Sequence, residues 1–144
     1  MQTQPYLFFD GRCEEAIAFY RQAIGAEVVM LMRYGDGREG SAQCPDGTQP
    51  PADKVMHACL QIGATQVLVS DGFSGGHPEF KGFSLALSAD DDAAAKRLFD
   101  ALAAGGQVQQ PLMPTFFASS FGMLVDRFGV SWMVLVPIPP SGAQ

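Results

Sequence analysis

The sequence predicts an α+β fold made of two βαβββ modules that form a curved mixed sheet around a cleft, and three observations carry that reading. The stretches HACLQIGATQVLVSD, residues 57–71, and FGMLVDRFGVSWMVLV, residues 121–136, each read as two apolar strands joined by a tight turn. Each is preceded by a strand and one amphipathic helix, so the order strand, helix, three strands occurs twice. At 144 residues and 47% hydrophobic, the chain can build one compact core or two half-size modules that share one.

The first module spans 1–72. PYLFF forms its opening strand, and CEEAIAFYRQAIGA places Ala16, Ile17, Phe19, Tyr20, Ala23 and Ile24 mainly along one helical stripe. Asp10, Gly11, Glu14 and Glu15 suit the helix start, and Gly25 its end. AEVVMLMRY is a long strand, followed by the twenty-residue segment 35–54, rich in Gly, Pro, Asp and Ser, which is a candidate lid or binding loop. The first hairpin turns at Gly63-Ala64, and 73–81 is a connector. The second module, 82–138, runs through FSLALSA, an acidic DDD cap, the helix AAAKRLFDALAAGG, QVQQP and the second hairpin. Together they make a single domain over 1–144. A helix covers one face of a sheet, so the other face is left for the twin module or for a ligand.

Charge and composition narrow the function. Nine basic residues against fifteen acidic ones give a net charge of -6, without the basic run that nucleic acid or an anionic membrane surface would require. The N-terminus lacks a leader pattern and no apolar run reaches the roughly 18–20 residues of a membrane span, which points to a soluble, cytoplasmic protein. Cys13, Cys44 and Cys59 form no C-x-x-C pair and read as free thiols in a reducing compartment.

YLFFDGRCEEAIAFYRQAIGAEV, MHACLQIGATQVLVSD and DRFGVSWMV, taken in order, resemble the PhnB-like, demethylubiquinone methyltransferase-like branch of the vicinal oxygen chelate superfamily, which includes glyoxalase I, bleomycin-resistance proteins and extradiol dioxygenases. The methyltransferase label finds no support in a strand, Gly-rich loop and helix of the kind that cradles a nucleotide cofactor, since Gly35-Asp36-Gly37 leads into a loop. In the metal-dependent members, the resemblance implies one ligand from the first strand and one from the last strand of each module. Overlaying those positions gives Pro5 and Val67 in the first module and Ser84 and Met133 in the second. None is a carboxylate or imidazole, and a slip of one residue brings Tyr6, Leu68, Leu85 or Val134 instead, again without one. No metal and no other cofactor is therefore expected. In PTFFASSFG, residues 114–122, the resemblance implies Trp-Gly-Asp before the FG, whereas Ala118-Ser119-Ser120 stand here.

The remaining candidates for chemistry are few. His57 and Cys59 share one face of a strand, though side chains two apart are roughly 6.5–7 Å apart at the backbone and rarely bond directly. His57 and Asp71 are the weak candidates for a general base, and His77 reads as a loop histidine. Phe116, Phe117 and Phe121 with Ser119 and Ser120 form an aromatic cluster with hydroxyls, while Met30, Met32, Met56 and Met133 are adaptable lining or filler. Trp132, of opposite parity to Met133, reads as core against a helix. Pro5, Val67, Ser84, Phe117, Ser119 and Met133 are the expected cleft lining. The function that follows is metal-free binding of a small apolar or aromatic molecule in the cleft between modules. The alternative is an enzyme of lyase, isomerase or oxygenase type on the same site, and a homodimer is expected in either case.

Overall fold

The computed structural model describes residues 1–37, 51–72 and 79–138. Cys44, His77, most of the expected lid at 35–54 and most of the connector at 73–81 lie outside the described residues. The chain divides into two compact units, Met1–Pro78 and Glu79–Gln144.

In the first unit, β1 (Tyr6–Phe8), α1 (Cys13–Ile24), β2 (Glu27–Arg33), β3 (Val55–Ile62) and β4 (Thr65–Ser70) follow in that order, with a 3-10 turn at Tyr34–Gly37. The four strands lie in the order β1-β4-β3-β2, with β1 parallel to β4 and the other pairs antiparallel. The second unit repeats the design with β5 (Leu85–Ser88), α2 (Asp92–Ala103), β6 (Gln107–Met113), β7 (Ala118–Val125) and β8 (Ser131–Pro137). Its strand order is β5-β8-β7-β6, again with one parallel pair, β5 and β8. The duplication read from the two hairpins is thus a duplication of topology.

One face of each sheet is covered by its own helix. Leu7, Val69, Ala58 and Leu60 are buried on the α1 side, where the Phe9 ring lies 6.2 Å from that of Tyr20. Cys13, Ala16, Ile17 and Tyr20 are the buried stripe of α1, so Cys13 opens the helix as a core residue. In the second unit, Trp132, Val134 and Leu124 face α2, and Gly122 leaves room for Phe99: an added Cβ would stand 2.7 Å from its ring.

The helix starts are held in two different ways. Asp91 caps α2 locally, its carboxylate accepting from the Ala94 N–H at 2.7 Å. The cap residue of α1, Arg12, makes no side-chain cap bond. There, Asp71 supplies the acceptor from the end of β4: Oδ1 takes the N–H groups of Gly11 at 2.7 Å and Cys13 at 2.9 Å, and Oδ2 takes that of Val55 at 2.7 Å. Asp126 does comparable work in the second hairpin, accepting from the N–H groups of Phe128 and Val130 and from the Trp132 indole at 2.9 Å.

Among the described residues, no helix is long and apolar enough to cross a membrane.

Candidate functional site

Strand alternation decides what the helix-free face of each sheet presents. In the first unit, Tyr6 pairs with Leu68 and Phe8 with Ser70, while Cys59 pairs with both Leu68 and Met30, and His57 with Met32. These residues stand on the side turned away from α1, together with Gln61 and Gln66. Tyr6 and Phe8 keep 38% and 48% of their surface accessible, so two aromatic rings on a three-residue strand are left partly bare. Their centroids are 4.9 Å apart in a stacked arrangement. The Tyr6 hydroxyl lies 2.8 Å from His57 Nδ1, and the two rings meet at 5.5 Å. Burial raises the Tyr6 phenol above its ordinary pKa, so it stays protonated near neutrality.

At the end of this face, Gln4 donates to Gln66 at 2.9 Å. Both line an open depression of about 380 Å³ with Pro5 and Gln61, a size within the range of small-molecule sites.

The second unit exposes a less polar face. Met133 pairs with Met123 and Ala86, and Phe121 with Leu135. The Ser84 and Ser131 hydroxyls bond to each other at 2.6 Å at the β5 and β8 starts.

Several expected site residues stand elsewhere. Val67 falls on the α1 side, buried, because β1 and β4 pair Leu7 with Val69 and Tyr6 with Leu68; the one-residue slip is the register adopted in the first unit. Pro5 precedes β1, its carbonyl accepting from the Leu68 N–H at 2.9 Å. In the second unit, Ser84 and Met133 stand on the helix-free side without a slip. Asp71 is no accessible base, because it is buried and its carboxylate is committed to three backbone N–H groups. The Ser119 hydroxyl does not join the phenylalanines: Ser119 and Ser120 both donate to Asp92 at 2.7 Å, and those bonds hold the Asp92 carboxyl below its usual pKa. Phe117 does sit between Phe116 and Phe121, each ring 5.2 Å away and edge-on. Cys13 is a poor nucleophile, its thiol pushed far up by burial and then by the Asp71 carboxylate.

The pairing of Tyr6 with His57 is the feature that residue types alone did not reveal. Its signal was the parallel first strand of a βαβββ unit, which sets β1 beside β4 and brings it toward β3.

The fold places four side chains at the ligand positions that the resemblance implies. Facing the helix-free sides at those places are Tyr6 and Leu68 in one unit and Ser84 and Met133 in the other. A phenol, an isobutyl group, a hydroxyl and a thioether do not fit a hard divalent ion. Among the described residues, no group of three or more His, Cys, Asp or Glu side chains is placed to hold one.

The family described as 3-demethylubiquinone-9 3-methyltransferase matches residues 1–135. The chain belongs to that family. Protein YjdN of Escherichia coli strain K12 is 36% identical to this PhnB-like chain over 140 residues, 94% of this chain and 95% of its own length. The crystal structure of PA1353 from Pseudomonas aeruginosa is similar with a TM-score of 0.78 and 42% identity, covering 95% of this chain and 98% of the other. The fosfomycin resistance protein FosX of Listeria monocytogenes, at 11% identity, shares the fold alone, with a TM-score of 0.63 over 96% of this chain and 92% of its own. The chain therefore has the vicinal oxygen chelate fold, with two βαβββ units.

Proposed function

We propose that this protein binds a small apolar or aromatic molecule on the helix-free sheet faces and does so without a divalent ion. The observation that carries the reading is the stacked and partly bare Tyr6–Phe8 pair beside His57, on a face whose ligand-type positions hold no carboxylate or imidazole. Such a surface offers apolar area, polarisable Met side chains and a few hydroxyls, which suffice for binding by shape and sparse hydrogen bonds.

A thermal-shift screen of the purified protein tests it, since a ligand held only by the native state raises the midpoint. The expected result is a rise of several degrees with one or more aromatic or aliphatic compounds in the presence of a chelator, and indifference to divalent metals. A rise with metal that chelator abolishes would overturn the metal-free reading. It would favour an enzyme of the same fold, of lyase, isomerase or oxygenase type, with His57 as the available base.

The described cysteines, Cys13 and Cys59, are free thiols, which supports a reducing compartment such as the cytoplasm. The exposed Val28, Val29 and Met30 on the edge strand β2 support pairing of two copies. Light scattering at micromolar concentration is expected to give twice the chain mass, and a monomeric mass would contradict the pairing.

A further inference from the structure

Resting on that binding reading, we propose that Tyr6 and His57 form a hydrogen-bonding subsite for the hydroxyl or carbonyl oxygen of an uncharged planar aromatic ligand, whose ring lies against Tyr6 and Phe8. Proton counting is the first support. A neutral phenol and a neutral imidazole carry one transferable proton each, and their mutual bond at 2.8 Å uses one of the two. If Tyr6 donates to Nδ1, the Nε2–H of His57 is left to donate; if Nδ1–H donates to Tyr6, the phenol hydrogen is left. Either tautomer keeps one donor for a third partner, and each also keeps a lone pair, on Nε2 or on the phenol oxygen, where a ligand competes with the Ser70 hydroxyl. The pair therefore adapts to a carbonyl, which only accepts, and to a hydroxyl, which does both.

The second support is the neighbourhood. Phe8 stacks on Tyr6 at an interplanar angle of 23°, so an apolar platform adjoins the donor. The side chains sharing this face, Leu68, Cys59, Met30, Met32, Gln61 and Gln66, carry no charge, and Glu27, opposite Gln61 on β2, is an acid. Arg33, at the other end of β2, is turned to Glu14 of α1 at 2.9 Å. Apart from His57 itself, these residues offer a phosphate or carboxylate no counter-cation, whereas a phenol or aryl ketone needs none.

The probes are 2-naphthol and naphthalene, which differ by one hydroxyl. Equilibrium dialysis against the full chain is expected to show 2-naphthol bound about ten-fold more tightly, the size of one good neutral hydrogen bond. Tyr6→Phe keeps the ring and should bring the two affinities within about two-fold, chiefly by weakening 2-naphthol. His57→Gln serves as a second variant that keeps the fold if Tyr6→Phe does not. In parallel, the ring nitrogen resonances of His57 should move on adding 2-naphthol and stay still with naphthalene. Equal affinities in the unmodified protein, or a preference that survives both substitutions, would overturn the subsite while leaving apolar binding intact. Failure of both probes to bind would also overturn it, and the broader reading would then stand or fall with the metabolite screen.

Discussion

Asp71→Ala is expected to destabilise the protein by about 3–5 kcal/mol, a large part of the total stability of a domain this size. The side chain is buried, and removing it strands the N–H groups of Gly11, Cys13 and Val55 together. Two of these belong to the turn and first residue of α1, which has no side-chain cap of its own. The third opens β3. One carboxylate thus ties the helix start to two strands, and its loss loosens all three at once. Urea denaturation should show a lower midpoint with an unchanged slope. Asp71→Asn keeps one acceptor oxygen but turns an NH₂ toward a donor, and should cost about half as much. A loss below about 1 kcal/mol for the alanine variant would show that water or another group satisfies these donors. Because Asp71 is a structural anchor, Asp71→Asn should leave the affinity of any ligand found in the screen unchanged under conditions where the variant is folded.

Gly106→Ala is expected to cost about 3 kcal/mol or more for a different reason. A Cβ there would collide with the Val125 carbonyl oxygen and the Asp126 backbone. Neither can yield as a flexible side chain could, because Asp126 is fixed by its bonds to Phe128, Val130 and Trp132. Relief would come only by shifting the β7 end and the turn that follows. Gly63→Ala is the instructive control: nothing lies within 4 Å of its Cβ position, but its φ of +55° is left-handed. It should cost only about 1 kcal/mol, the conformational penalty alone. Comparable losses at both positions would mean that the Gly106 region relaxes more readily than its packing implies.

Much of the fold was legible because patterning and topology agree. The repeated hairpins, the helix stripe containing Ala16, Ile17 and Tyr20, the Asp91 region as an acidic cap and Gly25 as a helix end are local signals, and the structure places each where its spacing pointed. The site was less legible, since it depends on register. Whether Pro5 and Val67 or Tyr6 and Leu68 face away from α1 is a one-residue question, and apolar residues of both parities on β4 leave the sequence pattern ambiguous. The choice between base and cap at Asp71 is illegible in the sequence for a related reason. A carboxylate at a strand end has the same residue type whether it is an exposed base or a buried cap, and only the distant Gly11 and Cys13 N–H groups distinguish the two. Ser119 was drawn toward the neighbouring phenylalanines by sequence proximity, yet its hydroxyl turns to Asp92 at the start of α2.

The helix-free sheet faces are expected to bind a small organic molecule without metal. Amide-resolved NMR of the labelled protein, titrated in chelator with the compound that gives the largest thermal shift, tests it most directly. The predicted result is a set of saturable changes concentrated at Tyr6, Phe8, His57 and Leu68, or at Phe121, Met123 and Met133. Changes confined to α1, α2 and the rows they cover, or binding that disappears in chelator, would contradict it.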